Sequence, residues 1–321
     1  MNPKQLLHWG LSTLSASVKA ESDLGLPVHL TVEPTNICNL RCPVCETGAG
    51  ILGRPKGYMS LGTFKKILDK AGEQVNTLLF YYMGEPFLNR DAYTMIRYAT
   101  RRGIYVSACT NGETLDMDGL VESQLSEISF QIGGLTQETH EKYRVRGNLD
   151  KTLSNLAELA ELKAKGLTNT KIQVGFIVMK HNEHEIGRVV SEMKKLGADE
   201  VVIISPCVRI IEQGKAFLPT DDKYWYYDRR YFDKGTLVPR KVPHNRCWWI
   251  YYSTVVLWTG EVVPCCRDAC GRHIMGNLLE QSMEEIWNGE KYQAFRRTVS
   301  KLQIRLDLCR LCSGYGIPRL Y

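Results

Sequence analysis

Cys38, Cys42 and Cys45 form a C-x3-C-x2-C set in the stretch Thr-Asn-Ile-Cys-Asn-Leu-Arg-Cys-Pro-Val-Cys, shortly after the apolar run Val28–Val32. Three thiolates in one short loop suit a single metal centre. They supply one ligand fewer than a 4Fe–4S cluster takes, so one iron stays open for another partner. A zinc knuckle, the alternative, needs a fourth Cys or His nearby, and none lies in the next fifty residues. A loop of this kind needs a rigid strand end to carry it.

The chain supplies such strands. From Val28 to about Ser205, short apolar runs alternate with amphipathic stretches, the rhythm of βα units around a parallel sheet. The expected strands are Val28–Val32, Thr77–Tyr81, Tyr105–Cys109, Glu127–Gln131, Lys171–Val178 and Glu200–Ile204. Helical spacing marks Leu61–Ala71, Asp91–Thr100, Leu115–Gln124, Asp150–Lys165 and Glu183–Leu196. Six units are too few for a closed eight-stranded barrel. The expected fold class is therefore α/β, a partial (β/α)6 TIM-like barrel over residues 28–205 with its functional residues at the C-terminal strand ends. Residues 1–27 read as a helical extension, with Leu6, Leu7, Leu11 and Leu14 on one face packed against the barrel. The aromatic and basic segment 206–243 has no clear period and reads as a bridge or lid. A second, smaller domain spans 244–321.

The motif Cys-Asn-Leu-Arg-Cys-Pro-Val-Cys after an apolar strand resembles the cluster loop of the radical S-adenosylmethionine (radical SAM) enzymes. The resemblance implies that Cys38, Cys42 and Cys45 hold a 4Fe–4S cluster whose open iron chelates SAM. It implies that a flavodoxin or ferredoxin-type donor supplies an electron, and that SAM is cleaved to methionine and a 5′-deoxyadenosyl radical. Tyr82-Met83-Gly84-Glu85-Pro86 resembles the Gly-Gly-Glu-Pro motif that receives the SAM ammonium in that family, with Met83 in place of the first Gly. Thr110-Asn111-Gly112 is shared with the family as well. By the same resemblance Gln131 and a downstream arginine, Arg144 or Arg146, are expected to contact SAM. Two departures stand out. Val44 replaces the aromatic residue common before the third cysteine, and Gln131 and Gly133 replace a Ser-x-Asp pair.

Cys247, Cys265, Cys309 and Cys312 form a second set. A hairpin turned at Thr259-Gly260 would bring the first two to one site, and the C-x2-C pair would complete it. The surrounding sequence resembles the SPASM/twitch domains that follow radical SAM cores. Four ligands imply one fully ligated auxiliary 4Fe–4S cluster, two clusters in all, with a zinc ribbon as the alternative for the same thiols. Cys266 could stand in for Cys265. Cys270 reads as a spare thiol, Cys109 as a core residue, and Cys207, after the sixth strand, as a packed thiol or a hydrogen donor.

Composition narrows the setting. Eleven cysteines, mostly grouped at short spacing, suit metal ligation in a reducing, cytoplasmic compartment. No apolar run reaches the roughly eighteen residues of a membrane span, and no signal peptide stands at the N-terminus. Dispersed basic residues at a formal charge of +6 argue against nucleic acid, and a polar face poor in Lys and Arg on the N-terminal helix argues against membrane association. The resemblance to single-auxiliary-cluster dehydrogenases implies two-electron oxidation of a small-molecule or carbohydrate-like substrate. The competing expectations are peptide modification, epimerisation with Cys207 as donor, and a non-catalytic iron–sulfur electron carrier. Only 27 residues precede the first strand, which weighs against a peptide-recognition domain there, and the Gly84-Glu85-Pro86 motif weighs against a mere carrier.

Overall fold

A computed structural model describes residues 2–314. Six parallel strands alternate with helices: β1 (His29–Val32), β2 (Thr77–Leu79), β3 (Tyr105–Thr110), β4 (Glu127–Ile132), β5 (Lys171–Ile177) and β6 (Glu200–Ile204). They pair in chain order and stop at β6, which leaves the sheet open on that side. Val28, Leu30, Leu78, Val106, Ile128, Phe130, Ile172 and Val174 are fully buried against the outer helices. Polar caps start those helices where the chain turns back. Ser60 accepts a bond from Thr63 N at the head of Leu61–Ala71, and Asn148 does the same from Lys151 N for Leu149–Ala164.

The C-terminal segment does not build a sheet of its own. Strand β7 (Ser253–Val256) pairs in parallel with β1, His29 opposite Ser253 and Val32 opposite Val256. It then turns tightly at Gly260 (φ +88°) into antiparallel β8 (Glu261–Val263), which pairs with β9 (Gly276–Asn277). The nine strands among the described residues form one sheet, in the order β6-β5-β4-β3-β2-β1-β7-β8-β9. The strand before the first cysteine loop therefore has β2 on one side and β7 on the other.

A buried ion pair fastens the same junction. Arg54 holds Glu33 through two bonds of 2.9 and 2.7 Å and donates a third, of 2.7 Å, to Ala269 O. Glu33 has no exposed surface, and burial raises its pKa against the pull of Arg54. Arg54→Met is expected to cost about 3–5 kcal/mol in denaturant unfolding, because it strands a buried carboxylate. Adding Glu33→Leu is expected to restore most of the loss; a single mutant as stable as the wild type would show that the pair contributes nothing.

The N-terminal helix α1 (Pro3–Ser17) does pack on the barrel, but by the face opposite the expected one. Gln5, Ser12, Ser15 and Ala16 are buried, whereas Leu6, Leu7 and Leu14 are 54%, 58% and 53% exposed. Gln5, Ser12 and Ser15 each find a hydrogen-bond partner, which is what lets this polar face lie inward. Gln5 Nε2 donates to Val75 O, Ser12 Oγ to Asp23, and Tyr252 OH to Thr13.

In the 206–243 segment a short helix (Ile211–Phe217) is followed by a 3-10 turn (Asp222–Tyr224) and a single helical turn (Arg229–Phe232). Val208, Leu218, Trp225 and Tyr227 pack with Leu40, Cys42, Val44 and Tyr143, so this segment covers the first cysteine loop.

Candidate functional site

The loop after β1 is braced by side chains from the ends of β2 and β3. Asn39, between the first two cysteines, accepts from Asn111 Nδ2 (2.8 Å) and donates to Glu113 (2.9 Å). Glu113 also caps Asn148 N at 2.7 Å, which links the loop to the long helix that starts at Leu149. Asn111 thus joins the end of β3 to the cysteine loop, and its Oδ1 also accepts Glu113 N at 3.0 Å.

Glu85 has a comparable internal role. Its carboxylate accepts from Thr110 Oγ1 (2.7 Å), Asn111 N (2.8 Å) and Phe87 N (3.4 Å), tying the end of β2 to the end of β3. Burial raises its pKa to about 7, offset by these bonds. Pro86 opens a single 3-10 turn, Pro86–Leu88, capped by that carboxylate. Gly84 sits at φ +120°, and a Cβ there would lie 2.5 Å from Thr35 O. Only glycine lets this turn press against the start of the cysteine loop.

The two arginines separate cleanly. Arg146 is exposed with φ +71°. Arg144 turns inward: its Nη1 lies 3.8 Å from Cys42 Sγ, and its buried Nε has no hydrogen-bond partner among the described residues. Cys42, Glu85 and Cys109 all feel its charge. Cys109 is half-buried and lies outside the apolar cluster that takes its strand neighbour Ala108. Gln131 donates to Ser129 Oγ (2.9 Å), which donates to Gln173 (2.8 Å), a polar ladder across β4 and β5.

The three loop thiols are close enough to influence one another. Burial pushes Cys38 up to about 12, with Glu85, Cys42 and Cys45 adding to the rise. Burial likewise raises Cys42, against the opposing charge of Arg144. Thiolates here need a cationic partner, and a soft metal centre is the partner that suits three sulfurs. A guanidinium with an unsatisfied buried N–H beside them fits an added anionic group such as a carboxylate. The donor set and the orphaned nitrogen together fit an iron–sulfur cluster with SAM.

The second thiol set also converges. Burial pushes Cys247 up to about 11 and Cys309 to about 12, and raises Cys265 as well. Cys312 adds to the first two, and Cys247 to Cys309 and Cys265. Cys266 lies beside Cys247 and Cys265, so the choice between it and Cys265 stays open. Tyr82, at the end of β2, places a buried hydroxyl with no partner among the described residues next to Cys265 and Cys266. That orphan fits a further acceptor, such as a cluster sulfide. No three His, Cys, Asp or Glu side chains among the described residues gather as ligands of one metal ion. A four-iron cluster, whose thiolates each bind a different iron, does not require that they do.

Cys207 is held from two sides. Arg267 Nη1 donates to its Sγ at 3.0 Å, and Tyr227 OH lies 3.5 Å away. Arg267 also donates to Tyr226 OH at 3.0 Å, so the loop after β8 reaches across to the segment after β6.

The sequence pattern of the radical SAM superfamily matches residues 32–193, just over half of the chain. The chain belongs to the radical SAM superfamily. The SPASM iron-sulfur cluster-binding domain matches residues 247–313, so this is a radical SAM enzyme with a C-terminal SPASM domain. A tungsten-containing aldehyde ferredoxin oxidoreductase cofactor-modifying protein of Pyrococcus furiosus is 24% identical over 304 residues, covering 84% of this chain and 83% of its own. Among solved structures, BtrN in complex with AdoMet and 2-DOIA has a TM-score of 0.53 at 18% identity, covering 89% of this chain and 92% of that one. Streptococcus suis SuiB bound to precursor peptide SuiA has a TM-score of 0.65 at 13% identity, covering 91% of this chain and 72% of that one. At such identities the two structures establish a shared fold. SAM and iron–sulfur clusters come with the two matched domains, and the superfamily's chemistry needs a reductant. Among the described residues no helix is long and apolar enough to cross a membrane.

Several residues of the radical SAM site escaped the sequence reading. Glu113 and Asn39 carry the bracing of the cysteine loop. Arg267 fixes Cys207, and Tyr82 faces the second thiol set. Only Asn39 and Tyr82 lie inside motifs that could have flagged them; the other two act through contacts between distant segments.

Proposed function

We propose that this radical SAM enzyme carries out a two-electron oxidation of a small-molecule substrate, begun by hydrogen-atom abstraction at the barrel mouth. When bound, SAM with a first cluster reduced by a flavodoxin- or ferredoxin-type donor would supply the abstracting radical, and an oxidised second cluster would take the remaining electron as a proton leaves to solvent. Support comes above all from one observation: Cys247, Cys309, Cys312 and either Cys265 or Cys266 lie near enough for their charges to act on one another, which is enough thiols for a fully ligated cluster. A complete set leaves no iron open to substrate and suits electron transfer.

The chain's own residues divide the remaining work. Cys38, Cys42 and Cys45 would hold the first cluster, on a loop fixed by Asn39, Asn111 and Glu113. Arg144 would meet the carboxylate of SAM with its unpartnered Nε. Gly84 would allow close approach, and Glu85 would keep a negative charge near the ammonium while locking Gly84-Glu85-Pro86 to β3. Gln131 would offer its amide from the opposite wall. Val44, Tyr143 and Trp225, buried together, would keep water from the reacting centre. Cys207 would stay a packed thiol, since Arg267 already occupies its sulfur.

A second reading, peptide modification, draws on the shared fold with SuiB, which was solved with its precursor peptide. The test is made in deuterated water with any substrate that turns over. Oxidation predicts a product lighter by two hydrogens, without solvent deuterium at carbon, and near-normal turnover in Cys207→Ala. An isomer carrying one solvent deuteron, lost in that variant, would replace oxidation by epimerisation. A peptide product with a new crosslink would favour the second reading.

A further inference from the structure

A cavity of about 530 Å³ opens between the first cysteine loop, the segment after β6, the loop after β8 and the chain around Asp307–Arg310. It adjoins both thiol sets: Glu46 follows Cys45, and Arg310 lies between Cys309 and Cys312. Its lining is strongly cationic, with Arg209, Arg267, Arg272, Arg305 and Arg310. Against them stand three carboxylates, and each is already engaged. Glu46 pairs with Arg209. Asp307 takes Arg272 at 3.2 Å and His273 at 2.9 Å. Asp268 accepts the backbone N–H groups of Arg272 and His273, both at 2.8 Å. Arg305 and Arg310 meet no carboxylate among the described residues.

Gathering guanidinium groups around one cavity costs repulsion unless an anion shares the space. A carboxylate is satisfied by one arginine fork. A phosphoryl or diphosphoryl group spreads its charge over several oxygens and accepts from several forks at once. We infer that this cavity binds the phosphoryl or diphosphoryl group of the substrate, which makes the substrate class a phosphorylated small molecule. The inference takes its reaction from the oxidation proposed above, but the binding does not depend on that reaction.

The test is calorimetry on the anaerobically reconstituted protein with inorganic pyrophosphate as probe. The wild type is expected to bind it, and Arg305→Gln/Arg310→Gln to bind about tenfold or more weakly, since charge-assisted bonds are lost. A control pair, Arg101→Gln/Arg188→Gln on outer helices, is expected to bind as the wild type does. If melting shows the first double variant unfolded, Arg305→Gln replaces it, with about a threefold loss expected. The inference is overturned by absent binding in the wild type, by equal weakening in both pairs, or by succinate or a glutamate-rich peptide competing as well as pyrophosphate. Formation of 5′-deoxyadenosine by the wild type with SAM and dithionite is followed separately. Cleavage without pyrophosphate binding defeats the cavity alone, and binding without cleavage defeats the reaction alone.

Discussion

Replacing Cys38, Cys42 and Cys45 together by alanine is expected to take the reconstituted protein from about eight irons per chain to about four and to abolish 5′-deoxyadenosine formation. Each residue belongs to a loop that is held without metal, through Asn39, Asn111 and Glu113, so the fold should survive the change. Of the three thiols Cys42 is the most buried, at 5% exposed, with Cys38 and Cys45 packed at the edge of the same apolar cluster. What the triple variant removes is the donor set that Arg144 faces. Iron counts before and after chelation, with far-UV circular dichroism to confirm folding, decide the matter. Unchanged iron in a folded triple variant would remove the first cluster from these cysteines.

The complementary change, Cys309→Ala with Cys312→Ala, is expected to leave SAM cleavage in place and to abolish substrate oxidation. These residues lie in and just after a single helical turn, Asp307–Arg310, joined by Cys312 N to Cys309 O at 3.1 Å. Losing two of four thiolates should cost about four irons per chain, with the first set untouched. Uncoupled 5′-deoxyadenosine would then accumulate without oxidised product. Stoichiometric zinc in the wild-type protein at these thiols would sink the electron-acceptor role outright, because zinc has no redox chemistry. Full oxidation by the double variant would do so as well.

The barrel was largely readable from local pattern. Helix Leu61–Ala71 and strand Glu200–Ile204 lie where apolar spacing put them, and the other core strands shift by one or two residues at their ends. Periodicity is a local signal, and these elements are set by their own faces. The pairing of β7 with β1 joins residues more than two hundred positions apart, and nothing in either strand names its partner. The inverted face of α1 was hidden for a related reason. Leu6, Leu7 and Leu14 form the obvious stripe, while Gln5, Ser12 and Tyr252 reveal their bonds only once the helix is docked. At the site, cysteine spacing pointed to both thiol sets. It could not separate Arg144 from Arg146, because that choice depends on which side chain turns inward.

The shared sheet gives the C-terminal module a further meaning. Without it, β1 would become a bare edge, with Leu30 and Val32 fully buried in the intact protein and its outward N–H and C=O groups unpaired. An exposed edge of that kind invites intermolecular pairing. Shortening the chain before β7 would thus leave an aggregation-prone remnant instead of a free-standing barrel. The thiol loop after β1 and the thiols around the β7–β8 hairpin stand on one continuous hydrogen-bonded lattice. Such a lattice resists hinge motion, so the shared sheet sets the relative placement of the two thiol sets before any substrate arrives.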